Sequence, residues 1–496
     1  MSSKLDSGTV LRNALRALPP GAAHASAAHA PELTELYAPD NHERALDPDR
    51  SLVIGNRGVG KSFWSAVLAD RNARRSAASA YPRLMLERTE VVLGFHEAAG
   101  KIEGPAPSPE VLQRLLKSFV PQQIWRAVLW QALGPHTGVQ SPMQLSSLLP
   151  WIEEHLETVE AGFRHADKGL SAANIRFVLL FDALDRLGAD WSTIRRLTEG
   201  VLRFALDLRG YRALRVKLFM RTDQFHDKRL FRFPDASKLR AEYVDLKWRR
   251  QDLYGLLYRR LWLHPKEEVQ AAFRVAARNV LPRSMRGQLE LSSLLGVLPP
   301  ALKNDEEIQE KVFSALAGLY MGANPRRGRT YLWLHNHLAD AFGETSPRSF
   351  LIALQRAAEF AKPELTTALD HHALRAGVQA ASGVRLDQLK EDYAWIGEVF
   401  EALARLEVPC FPKKFTESWR RSQTVTKIRE FTQNQRTLGP LEIEDDLPNP
   451  EEALLLALSN IGVLDRRPDG KINIPDIFRV AADMKRRGGV RPTPKR

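Results

Sequence analysis

The sequence contains almost no cysteine and no long apolar run. Cys410 is the single cysteine among 496 residues, which excludes an internal disulfide and zinc modules built on paired cysteines or on cysteine and histidine. No stretch supplies the ~20 consecutive apolar residues of a membrane-spanning helix. The first residues also lack the apolar core of a secretory leader. We therefore expect a cytoplasmic protein with no membrane partner.

Positive charge is in excess over the whole chain. The sequence has 72 lysine and arginine residues against 59 aspartate and glutamate residues, a formal net charge of +13. Such a balance is typical of proteins that meet phosphates or other polyanions, although a basic surface alone also explains it. The length allows about three domains of ~150 residues each.

Short apolar segments alternate with helical ones in the first half of the chain. We expect strands at 51–55, 81–87, 175–182 and 215–223, and a helix over 61–73. This alternation predicts an α/β fold with a parallel sheet and helices on both faces. After Pro234 the pattern becomes helical. The predicted domains are an N-terminal arm (1–48), a P-loop ATPase core (49–235), a helical lid (236–365) and a C-terminal winged helix-turn-helix domain (366–496).

The glycine-rich segment at residues 55–62 gives the clearest indication of function. "GNRGVGKS", from Gly55 to Ser62, matches G-x-x-x-x-G-K-[ST] and stands between an apolar strand and an amphipathic helix. Its glycines let consecutive N–H groups wrap a phosphate chain. We expect Lys61 to reach the β- and γ-phosphates and Ser62 to hold Mg²⁺. The expected nucleotide-binding residues here are Gly55, Asn56, Arg57, Gly58, Val59, Gly60, Lys61, Ser62 and Phe63.

A second acidic element completes such a site. Asp182 follows the apolar run "FVLLF" and fits the Walker B aspartate that holds the metal. The segment "DALD" resembles the STAND ATPases, NACHT-like and KAP-like P-loop proteins related to AAA+, in which a small residue and then a further acidic residue follow that aspartate. The resemblance implies that Asp185 orients the attacking water, because Ala183 cannot. The alternative is that Asp185 only caps a helix.

The same resemblance implies two sensor positions. The strand "VKLFMRTDQF" is similar to the sensor-1 strand, which makes Arg221 a catalytic candidate, with Thr222 second. The segment "GETSPRSFLIALQRA" is similar to the sensor-2 region, and Pro347 would place Arg348 in the first helical turn. Arg348 then either contacts the nucleotide or lies on the surface. No choice follows among three candidates for an arginine finger from a neighbouring subunit, Arg229, Arg232 and Arg240.

The C-terminal region predicts a winged helix. A helix "EALLLALSNIG" leads into "VLDRRPDGKINI", whose Asp-Gly turn predicts a hairpin. Basic residues cluster there and can neutralise the backbone phosphates of duplex DNA, although winged helices also dock proteins. The cluster comprises Lys413, Lys414, Arg420, Arg421, Arg466, Arg467 and Lys471. The basic tail from Lys485 to Arg496 is either a nucleic-acid arm or a solubilising segment.

Two functions follow from these features. The resemblance implies an ATP- and Mg²⁺-dependent molecular switch that controls assembly or a partner effector, as a homo-oligomer or with that partner, and it suggests a role in bacterial anti-phage defence. The charge and the C-terminal pattern indicate the alternative, a DNA-binding AAA+-like initiator or loader. A scaffold that holds nucleotide without turnover is a third hypothesis. The preference for adenine comes from the resemblance, and the guanine-reading motif Asn-Lys-x-Asp is absent.

Overall fold

A computed structural model describes residues 6–18, 36–443 and 448–486 of the chain. The chain divides into two compact units. One unit is Ala22–Lys247, and the other joins Met1–Gly21 to Trp248–Arg496. Within the described residues, no helix is both long enough and apolar enough to cross a bilayer.

The α-helices are numbered in chain order over the described residues. Their bounds are α1 Ser7–Arg16, α2 Glu43–Leu46, α3 Lys61–Ala69, α4 Arg71–Ala80, α5 Pro109–Leu115, α6 Pro121–Leu133, α7 Leu145–Glu154, α8 Leu156–Ala172, α9 Trp191–Asp207, α10 Thr222–His226, α11 Ala236–Ala241, α12 Arg250–Trp262, α13 Glu267–Val280, α14 Arg286–Leu294, α15 Pro300–Asn304, α16 Glu306–Ala317, α17 Thr330–Leu338, α18 Pro347–Phe360, α19 His371–Asp392, α20 Ile396–Glu401, α21 Pro412–Arg421, α22 Thr424–Gln435, α23 Pro450–Asn460 and α24 Asp476–Arg479.

The β-strands of the described residues are short. Their bounds are β1 Leu52–Gly55, β2 Thr89–Phe95, β3 Arg176–Phe181, β4 Leu214–Arg221, β5 Val244–Asp245, β6 Glu407–Val408, β7 Asp465–Arg466, β8 Ile472–Asn473 and β9 Lys485–Arg486.

A five-stranded sheet forms the centre of the first unit, and its order is β2-β3-β4-β1-β5. All of its paired strands run parallel. Strand β1 is buried throughout, and β3 and β4 are buried almost throughout. Strands that are apolar along their length need cover on both faces, which α3, α6, α8 and α9 help to provide by packing on the sheet. The predicted parallel α/β fold is confirmed.

The predicted strand at 81–87 is wrong. Residues 82–84 and 86–88 form two short 3-10 turns, and the strand follows them as β2, Thr89–Phe95. Pro82 has no N–H to donate to a neighbouring strand. By contrast, the segment "TEVVLGF" has β-branched residues that favour a strand, and it pairs with β3.

The predicted helix over 61–73 is two helices. Helix α3 ends at Ala69, and Asp70 caps the start of α4 by accepting hydrogen bonds from the N–H groups of Asn72 (3.0 Å) and Ala73 (2.8 Å). An aspartate side chain that bonds the first free N–H groups of a helix starts a new helix at that point.

The sheet continues beyond residue 235, where the ATPase core is predicted to end. Strand β5 pairs with β1 through Val53 and Val244. The segment 236–365, predicted to be all helical, therefore includes strand β5 of the sheet, directly after helix α11. The sequence-based division into four domains otherwise stays a prediction.

Helix α1 belongs to the second unit, where it packs on α13 and α18. Arg12 is buried in that contact. Its guanidinium donates hydrogen bonds to four backbone carbonyls of the loop that follows α18. The acceptors are the oxygens of Pro363 (3.1 Å), Leu365 (2.7 Å), Thr367 (2.9 Å) and Ala368 (3.1 Å). The predicted N-terminal arm thus contains a helix fixed by one buried cation, while residues 1–5 and 19–35 of the arm lie outside the described residues.

The C-terminal region has the predicted helix and hairpin. Helix α23 precedes β7 and β8, which pair antiparallel. The backbone of Cys410 forms an isolated antiparallel β-bridge with Ile472 of β8. Gly470 turns the hairpin with a φ of 77°. This order of helix and paired strands is the winged-helix arrangement. Part of the acidic linker, residues 444–447, lies outside the described residues.

The basic tail is described only at its start. Lys485 and Arg486 form β9, which pairs parallel with β6. Arg486 also donates to Asp476 at 3.2 Å. These two residues therefore belong to the folded second unit, and the tail after them lies outside the described residues.

Replacing Arg12 with alanine is expected to lower the free energy of unfolding of the second unit by about 3 kcal/mol, because buried carbonyls lose charged donors. Arg16→Ala in the same helix removes one such bond, to Ala358 at 2.9 Å, and is expected to cost about 1 kcal/mol. Urea unfolding of both variants measures the difference. Equal losses would show that the four bonds of Arg12 stabilise the unit no more than the single bond of Arg16.

Candidate nucleotide-binding site

The glycine-rich loop lies where β1 ends. Gly58 and Gly60 have φ angles of 83° and 101°, a left-handed backbone that favours glycine. Gly55 is needed for space, because a Cβ there would lie 2.8 Å from the side chain of Val59 and 3.2 Å from the carbonyl oxygen of Leu246. Two different physical requirements therefore fix the glycines of the motif.

Lys61 is the first residue of α3. Its ammonium donates hydrogen bonds at 2.8 Å to the carbonyl oxygens of Gly55 and Asn56. Desolvation lowers the pKa of Lys61 to about 8, although the nearby carboxylate of Asp182 opposes this shift. A cation with incomplete hydration is thus held against the loop, as phosphate binding requires.

Ser62 and Asp182 meet beside Lys61. Asp182 directly follows β3, and its backbone N–H donates to the carbonyl of Phe95 at 3.0 Å. Its carboxylate accepts a hydrogen bond from the Ser62 hydroxyl, and burial raises its pKa despite that bond. A half-buried hydroxyl and a buried carboxylate are hard oxygen donors and fit Mg²⁺, which in nucleotide sites takes few protein ligands besides phosphates and water.

Asp185 accepts from two arginines. Nη2 of Arg57 lies 2.7 Å from its Oδ2 atom, and Nη1 of Arg221 lies 3.1 Å from the same oxygen. Burial alone would raise the pKa of Asp185, but Arg221 and Arg57 outweigh burial and hold it well below its ordinary value. The carboxylate is therefore charged and already engaged.

The chain reaches Asp185 through a left-handed turn at Ala183, whose φ is 55°. This conformation is uncommon for a residue with a Cβ and is found mainly where the surroundings enforce it. The turn leads into a short 3-10 segment, Leu184–Arg186. This turn keeps Asp182 and Asp185 at the same edge of the sheet.

Arg221 ends β4, the strand between β1 and β3. It is paired with Gly55 in the register of the parallel sheet. Its guanidinium also bonds both carboxylate oxygens of Asp223. The ion pair between Arg221 and Asp223 was not predicted from the sequence. Thr222 begins α10.

These residues lie at the carboxyl edge of one parallel sheet. The fold is that of a P-loop NTPase. No protein-family model matches the chain, and no curated protein sequence is significantly similar to it.

Three solved structures resemble this P-loop NTPase along nearly its whole length. A Walker-type ATPase of Pyrococcus abyssi has a TM-score of 0.35 and 13% identity over 93% of this chain and 97% of its own. Cdc6p from Pyrobaculum aerophilum gives 0.29 and 10% over 92% and 93%. Drosophila ORC bound to DNA gives 0.29 and 12% over 97% and 91%.

The remaining loop residues have defined positions. Val59 is buried, and Phe63 lies on α3 with its ring 5.4 Å from that of Trp64. Asn56 contributes the carbonyl that accepts from Lys61. The structure thus places the loop residues, Asp182, Asp185 and Arg221 in one unit. Their contacts with a nucleotide stay predictions.

The predicted helix start at Pro347 is confirmed, since Ser346 caps α18 and Arg348 lies in its first turn. A role of Arg348 in nucleotide binding stays a prediction.

Of the arginine-finger candidates, Arg229 pairs with Asp227 at 2.9 Å, and Arg240 lies 5.4 Å from the ring of Phe231. Arg232 is exposed. No observation selects one of them.

Sequence reasoning missed two polar residues that follow β2. His96 is buried, and its Nδ1 atom accepts from the N–H of Ala98 at 3.2 Å. Glu97 lies 3.7 Å from Arg186, which follows β3. Correct placement of β2 at 89–95 would have indicated both, because polar residues after parallel strands share one edge of the sheet.

The affinity for ATP is expected to fall above about pH 8, the pKa of Lys61. Below that pH the ammonium is charged before and after binding. Above it, the free protein has lost a proton that the phosphates favour, so affinity falls by up to about tenfold per pH unit. Titration with a fluorescent ATP analogue measures this dependence. Lys61→Ala should bind weakly with no such dependence, and an unchanged pH slope in this variant would contradict the assignment.

Proposed function

We propose that the protein binds and hydrolyses ATP with Mg²⁺ and that its winged-helix region binds duplex DNA, as in an initiator or loader ATPase. The observation that carries the ATPase proposal is the meeting of Lys61, Ser62 and Asp182 at one sheet edge, with the hydroxyl bonded to the carboxylate. The preference for ATP over GTP rests on the resemblance alone.

Each residue has a defined task in this proposal. The backbone N–H groups from Gly58 to Lys61 and the start of α3 bind phosphate oxygens. The ammonium of Lys61 exchanges its two carbonyl acceptors for phosphate oxygens. Ser62 and Asp182 would hold Mg²⁺, which neutralises phosphate charge when bound. Burial of the Asp182 carboxylate makes a cation a favourable partner for it.

Lys61→Ala and Asp182→Ala are each expected to lower ATP turnover by about 100-fold or more, because each removes an electrostatic contact to the reacting phosphates or to their metal. Steady-state phosphate release, with ATP and GTP in parallel, measures this loss. The exposed residues Lys117 and Asp387 supply control variants, Lys117→Ala and Asp387→Ala. Turnover that survives in both site variants would refute the proposed ATPase site.

The DNA proposal is supported by the charge of two elements of the second unit. Helix α21 exposes four basic residues, and the hairpin of β7 and β8 adds one exposed and two half-buried ones. They are Lys413, Lys414, Arg420, Arg421, Arg466, Arg467 and Lys471. One of the similar structures, ORC, is described as bound to DNA, but the proposal rests on the charges.

Arg466→Ala is expected to weaken duplex binding and to reduce the slope of log K against log salt by about 1, because one phosphate contact is lost. Fluorescence anisotropy with a labelled duplex over a series of salt concentrations measures the slope. Arg326→Ala, which removes an exposed arginine from a 3-10 turn, is the matched control. The DNA proposal fails if the two variants have the same slope as the wild type.

A second candidate, the nucleotide-dependent switch, is supported by helix α23. This helix precedes the hairpin, has Glu451 and Glu452 in its first turn, and has no basic residue. Leu456 on it exposes 51% of its surface. An acidic helix with an exposed leucine suits a protein partner better than phosphates. The STAND assignment and the role in anti-phage defence stay hypotheses.

A further inference from the structure

Two arginines of the candidate site donate hydrogen bonds to one carboxylate. Arg57 and Arg221 both donate to Oδ2 of Asp185, at 2.7 and 3.1 Å. They come from different elements, since Arg57 is in the glycine-rich loop and Arg221 ends β4. Asp185 therefore ties the loop to the sheet edge through charged hydrogen bonds, which are stronger than neutral ones.

The two guanidinium groups differ in access and in partners. The Arg57 side chain is 24% exposed and that of Arg221 only 7%. Arg221 is also held by both oxygens of Asp223. Arg221 is thus fixed from two sides, whereas Arg57 is the more accessible cation.

The position of Arg57 in the chain limits where its side chain can act. Arg57 directly precedes Gly58, within the loop whose N–H groups surround phosphates. Its Cα is therefore attached to the phosphate-binding backbone itself. Asp185 draws its guanidinium toward the end of β3, the strand that Asp182 follows. The guanidinium thus bonds a carboxylate three residues after Asp182, the proposed metal ligand.

We propose that Arg57 is a catalytic residue supplied by the chain itself, whose guanidinium contacts the γ-phosphoryl oxygens of ATP, and that Asp185 is the positioning residue that orients it. This inference rests on the proposed ATPase function. As the oxygen of water bonds to the γ-phosphorus, the bond to the β,γ-bridging oxygen breaks and the water proton passes to solvent. Arg57 neither gives nor takes a proton but stabilises the negative charge.

This assignment changes the role predicted for Asp185. Both guanidinium groups donate to Oδ2 of Asp185, so in this assignment the carboxylate orients Arg57 and not the attacking water. It also makes an arginine from a neighbouring subunit unnecessary. Turnover per chain should then not depend on protein concentration.

The first test compares Arg57→Ala and Arg57→Lys with the wild type. Arg57→Ala is expected to lower kcat by about 10³-fold, the effect of removing an arginine from phosphoryl transfer. Arg57→Lys should recover only part of it, because lysine lacks the planar fork of donors. Millimolar guanidinium chloride should restore part of the kcat of Arg57→Ala but none in Lys61→Ala. Arg164→Ala, an exposed arginine of α8, should retain wild-type turnover.

The second test measures binding and does not depend on turnover. Arg57→Ala should bind ADP as the wild type does but lose the preference for ATP over ADP, since only ATP offers the γ-phosphate. Asp185→Asn should show a smaller loss of the same preference. In the double variant the losses should not add, because both residues act through one contact. Independent, additive losses would overturn the positioning role of Asp185.

The outcomes separate this inference from the proposed function. Wild-type turnover with an unchanged kcat in Arg57→Ala overturns the inference and leaves the ATPase proposal standing. If the wild type does not turn over ATP, the ATPase proposal fails, and nucleotide binding still decides about Arg57. A preference for ATP that vanishes in Arg57→Ala supports the contact, and a preference that is absent from the wild type or retained in the variant refutes it.

Discussion

Parallel strand pairing is the constraint on which the candidate site depends. In a parallel sheet all strands end at the same edge, so the residues that follow β1, β3 and β4 are brought together however far apart they are in the sequence. The register pairs Gly55 of β1 with Arg221 of β4. The backbone hydrogen bond from Asp182 to Phe95 fixes the end of β3 beside the end of β2. Each polar residue of the site thus takes its place from a buried apolar strand.

Burial gives the charges at this edge their properties. Water is partly excluded, so desolvation lowers the pKa of Lys61 and raises that of Asp182. Asp185 has the opposite shift to Asp182 because two guanidinium groups face it. Buried ion pairs contribute little net stability once desolvation is counted. A concentration of them beside a glycine-rich loop that we propose binds phosphates is therefore better explained by ligand chemistry than by folding.

Local patterns predicted the parts of the site that depend on one segment each. Apolar strands with polar residues at their ends indicated the loop from Gly55 to Ser62, Asp182 and Arg221. The strand expected at 215–223 ends at Arg221, because Thr222 begins α10. The strand was predicted at 81–87 because that segment is apolar. Pro82 instead begins a 3-10 turn, and residues 89–95 are the ones that pair with β3. The ion pairs of Asp185 join three separate segments, and no single segment indicates them. For the same reason the sequence did not indicate the bonds of Arg12 to the distant loop after α18.

The charge distribution of the winged helix indicates which of its elements suit the proposed contact with DNA. Helix α23 precedes the hairpin, and its acidic first turn would repel phosphates. Helix α21 and the hairpin carry the exposed basic residues instead. Lys471 lies 5.6 Å from the ring of Phe411, so a basic and an aromatic residue are adjacent where the hairpin meets the start of α21. The proposed contact with duplex DNA would therefore run through α21 and the hairpin rather than through α23.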